Sequence, residues 1–177
     1  RNTMNISTSA LQEKNAKHLI QSFSDLSYIK NPESTHIISR AAGVYIYDND
    51  GKKILDSMSG LWCVNMGYGQ QSIIEAVNEQ MKELVYYNNF FGSSHPSAIK
   101  LSEMIANKTP EGMNKVYFCG SGSEANDTVV RLARHYWAAK GKPSKSVIIS
   151  RTNAYHGSTM AGASLGGMSA MHAQGGL

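Results

Sequence analysis

The chain has 177 residues, is 41% hydrophobic and 17% charged, and carries a formal net charge of +4, an ordinary globular composition. No basic run exceeds two residues, which argues against a nucleic-acid surface, and no apolar run approaches the ~20 residues of a bilayer span. Cys63 and Cys119 have neither a CxxC partner nor a metal-spaced histidine, and no signal peptide is visible, so the expected compartment is the cytoplasm, with no metal site.

Arg1-Asn2-Thr3 precede Met4, which reads as the natural start. Residues 1–35 are polar, with one amphipathic stretch from about Leu11 to Phe23. Val44–Tyr47 alternates as a strand does. Asp48-Asn49-Asp50-Gly51 is turn chemistry, and Lys52 to Leu55 returns, so a hairpin is expected. Gly60-Leu61-Trp62-Cys63 and Gly67-Tyr68-Gly69 form a glycine-rich loop with large aromatics. Ile73, Val77, Met81 and Leu84 then recur at helical spacing over about Ser72 to Tyr86. A second aromatic loop, Tyr86 to Ser94, leads to a helix that starts at His95-Pro96-Ser97 and ends near Pro110-Glu111-Gly112. The last third predicts a βαβ unit: strand Val116–Cys119, helix from about Ser123 to Lys140, strand Val147–Ile149. Tyr155-His156-Gly157 and a small-residue segment follow. Two parallel strands cannot cover these helices, so the chain is expected to be an amino-terminal piece of a larger protein.

Within that unit, Gly120-Ser121-Gly122-Ser123 joins strand to helix. Two glycines admit close backbone approach, the helix start offers free N–H groups, and Ser121 and Ser123 add hydroxyls. The plainer reading is a capping box, Ser121 with Glu124, and one turn can serve both purposes. Gly120 to Ala125 also fits the G-x-G-x-x-A dinucleotide pattern. A dinucleotide site for NAD requires an acid ending the second strand. Ser150-Arg151 stands there and would suit NADP instead. Against a dinucleotide stand the long lead-in before the first strand and the Tyr155-His156 pair, which suits a flat aromatic ligand with one phosphate.

The separated motifs GVYIYDNDGKKILD, SGLWCVNMGYG, FFGSSHPSAIKLSE, FCGSGSEANDTVVRLARHYW and NAYHGST resemble, in order, those of class III pyridoxal-phosphate-dependent aminotransferases, enzymes of fold type I. The resemblance runs from about Ser34 to the end and is nearest to the ω-amino acid or amine:pyruvate branch. It implies an α/β fold. Residues 1–65 would be an N-terminal helix and hairpin of the small domain, and 66–177 the first, incomplete part of the cofactor-binding large domain. It implies that Ser121, Gly122 and Ser123 cradle the phosphate of pyridoxal 5'-phosphate, that Tyr155 lies over its ring and that His156 sits beside it. Leu61, Trp62 and Tyr155 would line the substrate pocket, and Phe90 would reach the site of a neighbouring subunit in a homodimer with shared active sites. The substrates implied are a primary amine or ω-amino acid and a keto acid such as pyruvate. None of the lysines matches the family's lysine context, so no catalytic lysine is expected within these residues. The alternatives are an NADP-binding reductase domain and a non-catalytic phosphate-binding remnant.

Overall fold

The structure is a computed structural model and describes residues 6–175; Met4 lies outside them. It divides after Tyr87 into two units. In the first, Ser7 caps α1 (Thr8–His18) by accepting a hydrogen bond from the Ala10 amide at 3.3 Å. The helix ends at His18 rather than near Phe23, because the chain turns extended at Leu19. Asp25 starts α2 (Leu26–Ile29) and Asn31 a 3-10 turn (Pro32–Ser34) in the same way. The Gln12 amide donates to the Thr35 carbonyl at 2.9 Å and the Asn15 amide to the Thr35 hydroxyl at 3.1 Å. Thr35 and Ile29 are the buried residues of this unit among those described.

The expected hairpin forms as β2 (Tyr45–Asp48) and β3 (Lys53–Leu55), and β1 (Ile38–Ala42), which the pattern did not predict, extends it into an antiparallel sheet of order β1-β2-β3. The Asp48 carboxylate organises the turn by accepting from the Asp50 and Lys52 amides at 3.1 and 2.8 Å. Cross-strand pairing sets the Arg40 guanidinium 3.6 Å from the Tyr47 ring centroid. Thr8 donates its hydroxyl hydrogen to Asp50 at 2.6 Å, tying α1 to the hairpin turn. A single turn, α3 (Ser59–Trp62), separates the sheet from α4 (Gln71–Glu83), the helix predicted from Ser72.

The second unit holds α5 (Pro96–Ala106), α6 (Gly122–Ala139), α7 (Met160–Leu165) and α8 (Ser169–Gly175). Pro96 and His95 start α5, where the Ala98 amide donates to His95 Nδ1 at 3.4 Å. The sequence reading showed α7 and α8 only as a small-residue stretch. Gly162, Ala163 and Gly166 are buried there, and a Cβ at Gly162 would come 3.0 Å from the His156 carbonyl oxygen. His172 Nε2 lies 2.7 Å from the Gly166 carbonyl oxygen, partnering the end of α7.

The predicted βαβ unit is not formed. Val116–Cys119 and Val147–Ile149 join no ladder among the described residues, and Cys119, at the end of the first predicted strand, is exposed. A run of β-branched and aromatic residues records a capacity for burial. A strand also requires neighbours that take its N–H and C=O groups, and these two segments do not take each other. They flank α6 with Val147 and Ile149 84% and 91% exposed.

Uncovered apolar surface is general. Two separate compact units sharing this mass would expose roughly 10,000 Å² in total. The chain of 19.3 kDa exposes 14589 Å². Ile73, Val77 and Met81 on α4 and Val129 and Leu132 on α6 are all about half exposed. The 177-residue chain produced by itself should therefore bind an apolar dye strongly and self-associate in sedimentation. A monodisperse monomer that ignores the dye would contradict this description.

Candidate functional site

The helix start at α6 is built as a capping box. The Glu124 amide donates to Ser121 Oγ at 3.2 Å, and the Glu124 carboxylate reaches back to accept from the Gly120 amide at 2.7 Å. The amides of Gly122 and Ser123 have no protein acceptor among the described residues. A Cβ built on Gly122 would meet nothing within 4 Å, so the space in front of this helix end is open.

Ser123, Asn126 and Asp127, spaced three and four apart, share one helix face. That face is stitched to the loop 156–159. Ser123 Oγ accepts from the Ser158 amide at 3.0 Å, the Asn126 side chain donates to the His156 carbonyl at 2.6 Å, and the Thr159 hydroxyl donates to Asp127 at 2.7 Å. The approach is close. Gly157 has a φ of +123°, and a Cβ there would fall 2.8 Å from Ser123 Cα. Four of the residues expected at a phosphate-and-ring site, Ser121, Gly122, Ser123 and His156, are therefore held together in one unit, with Tyr155 adjoining through the chain. Each serine oxygen already accepts a backbone N–H, which leaves its own hydrogen to donate. With the two free amides and the positive end of an 18-residue helix, the arrangement can bind an anion.

Leu61 and Trp62 belong to the first unit, where α3 is a left-handed turn. Ser59, Gly60, Leu61 and Trp62 have φ values of 49°, 60°, 64° and 66°. Three of these are not glycine, at about 1–2 kcal/mol each against the right-handed alternative. Asp56 holds the turn: its Oδ2 accepts from the Gly60 amide and from the Tyr68 hydroxyl, each at 2.7 Å. Both partners are anchored to the sheet, since the Asp56 amide donates to the Val44 carbonyl and Tyr68 pairs with Gly43 through both backbone groups. The Tyr68 hydrogen bond keeps the Asp56 carboxyl below its ordinary range, and the same bond pushes the Tyr68 phenol up.

Phe90 is exposed, with its ring 6.0 Å from that of Phe91. A groove of about 480 Å³ beside α6 is lined by Tyr117, Cys119, Glu124, Asp127, Thr128 and Arg131. Among the described residues no group of three His, Cys, Asp or Glu could hold a metal, and no helix is long and apolar enough to cross a membrane. Sequence reasoning missed Asp56, Tyr68, Asn126, Asp127, Ser158 and Thr159. The helical spacing of Ser123, Asn126 and Asp127 was the available signal for the second group. For Asp56 and Tyr68 there was none, because a left-handed turn has no sequence period.

The family model described as Aminotransferase class-III matches residues 28–176. The putrescine–pyruvate aminotransferase of Pseudomonas aeruginosa is 53% identical over 171 residues, covering 97% of this chain and 37% of that protein. Mitochondrial gamma-aminobutyrate transaminase 1 of Oryza sativa subsp. japonica is 43% identical over 137 residues, 77% of this chain and 27% of that one. The omega transaminase of Pseudomonas jessenii, solved in complex with PMP, superposes with a TM-score of 0.91 at 38% identity over 96% of this chain and 37% of that one. A transaminase from the marine bacterium Virgibacillus gives a TM-score of 0.88 at 40% identity, covering 92% of this chain and 37% of that one. The chain thus spans 37% of the length of the first of these relatives. These likenesses agree with an α/β fold and set aside the NADP-reductase alternative.

The Asp56 and Tyr68 shifts bound the pH range of the α3 turn. A lowered carboxyl contributes fully above the ordinary value of 3.8, and its contribution is lost as pH falls through the lower folded value. A raised phenol contributes fully below 10.0, and its contribution is lost as pH rises through the higher folded value. The Gly60 amide resonance, followed by NMR, should titrate with a midpoint below 3.8. A midpoint at or above the ordinary value would contradict the Asp56 bond.

Proposed function

The chain belongs to the class III aminotransferases, and from that premise we propose that it forms the amino-terminal part of a pyridoxal-phosphate-dependent transaminase. The enzyme moves an amino group from a primary amine or ω-amino acid to a keto acid such as pyruvate. The observation that carries this reading is the helix end at α6, where two free amides and two serine hydroxyls converge beside Tyr155-His156.

On this reading Ser121, Gly122 and Ser123 hold the cofactor's phosphate, Tyr155 stacks on its ring and His156 flanks it. The bound cofactor supplies the electron sink for amine exchange. The chain's residues grip the phosphate end, fix the ring's tilt and shape the substrate's approach. An aromatic stack of this kind contributes about 0.5–1.5 kcal/mol beyond area burial. Leu61 and Trp62 wall the amine pocket, and Phe90 extends into the site of a second copy in a homodimer. Residues 1–65 belong to the small domain and 66–177 open the large one. The lysine that anchors the cofactor covalently falls, on this reading, in the length of the relatives that this chain does not span.

The gene product should convert putrescine and pyruvate to the amino-transfer products and show pyridoxal absorbance. Absence of transfer from every primary amine and ω-amino acid tried would refute the reading. Gly157→Ala, which drives a methyl group into Ser123, should weaken pyridoxal-phosphate affinity about ten-fold or more in absorbance titration. Unchanged affinity would remove Ser123 from the cradle.

A further inference from the structure

The turn that carries Leu61 and Trp62 is held by an atom outside it. Oδ2 of Asp56 takes both the Gly60 amide and the Tyr68 hydroxyl at 2.7 Å. From the other side, a Cβ on Gly60 would lie 2.9 Å from the Tyr68 hydroxyl oxygen and 2.9 Å from Val64 Cγ2, so Gly60 is wedged between the two. The backbone closes the turn with Trp62 N–H to the Met58 carbonyl at 2.8 Å and Cys63 N–H to the Ser59 carbonyl at 2.9 Å. Ser59, Leu61 and Trp62 stand in a left-handed conformation that L-residues disfavour. Sheet anchors at Val44 and Gly43 supply the fixed frame. Trp62 projects from this frame 82% exposed, so in this unit its direction is set by the turn and not by packing around the indole.

We infer that Asp56 and Tyr68 are positioning residues for amine selection: they fix the direction in which Leu61 and Trp62 meet the amine without touching it. The inference rests on the proposal that Leu61 and Trp62 wall the amine pocket. A displacement of about 1 Å in a positioning group is enough to alter turnover strongly. Both hydrogen bonds converge on one oxygen, so an amide oxygen in the same place can still accept them. The three variants differ in what they remove: Asp56→Ala removes the acceptor, Tyr68→Phe removes one donor, and Asp56→Asn keeps an oxygen in place.

The test uses the holoenzyme with putrescine and benzylamine as probe amines and pyruvate as acceptor. Tyr68→Phe and Asp56→Ala should lower kcat/KM for benzylamine about ten-fold. They should shift the ratio between the two amines and leave pyridoxal-phosphate affinity unchanged. Asp56→Asn should recover most of the loss. In a Trp62→Ala background the effect of Tyr68→Phe on the amine ratio should shrink several-fold, since the latch then aims Leu61 alone. An equal effect with and without the indole would overturn the inference. Hydrogen exchange supplies a readout independent of activity: Tyr68→Phe should speed exchange over residues 59–64 and leave α4 alone. Unaltered exchange there would also overturn it. A holoenzyme that moves no amino group from either amine counts against the proposed function, while the exchange comparison still decides whether Asp56 and Tyr68 hold the turn.

Discussion

A helix leaves its first amides without partners, and a loop leaves its backbone without a ladder; each is costly wherever water is excluded. In the second unit these two deficits meet. Ser123, Asn126 and Asp127 turn one face of α6 toward the loop 156–159 and satisfy its amide, carbonyl and hydroxyl groups. The rest of the unit follows from this seam. It brings Gly157 against Ser123, and it fixes His156, with Tyr155 next in the chain, beside the helix end. Thr159 caps α7 through the Gly162 amide while donating to Asp127, so the start of α7 is set by the same seam. Such bonds contribute only about 1 kcal/mol each in net stability. They order the seam with no strand ladder among the described residues of this unit.

The first unit applies the same device to a different backbone. There the frame is a three-stranded sheet, and the supported element is a turn of the wrong hand for L-residues. One carboxylate oxygen of Asp56, a residue whose own amide donates to the Val44 carbonyl, holds Gly60 and Tyr68 together. In both units a glycine permits a contact that a Cβ would block, and a short polar side chain then holds it. Polar stitches of this kind are directional, so they position a group. The apolar surfaces around them remain largely uncovered.

Much of this was legible in the residues. Asp48 to Gly51 encodes its turn through local geometry, and the hairpin forms where expected. The capping box at Ser121 and Glu124 is equally local, so a four-residue pattern sufficed to place the helix start. The family was legible because several such motifs recur in order. The helices α7 and α8 were not: Gly162 and Ala163 hold their place in α7 by close packing rather than by an apolar period, and Gly166 follows as its extended cap. β1 was missed for a related reason. Its strand character comes from pairing with Tyr45–Asp48, and Arg40 and Ser39 give it no alternation.

The sequence by itself determined the local chemistry: the capped helix start, the hairpin and the order of motifs that assigns the family. Each depends on neighbours a few residues apart, where chain connectivity guarantees the encounter. Only the tertiary structure decided that Val116–Cys119 and Val147–Ile149 do not pair with one another, that Tyr155-His156 adjoins the helix end, and that the Trp62 turn is left-handed under Asp56. Those outcomes depend on groups 12 to 35 residues apart finding complementary donors and acceptors. No period in the chain records such meetings, because hydrogen-bond partners are chosen by geometry in space.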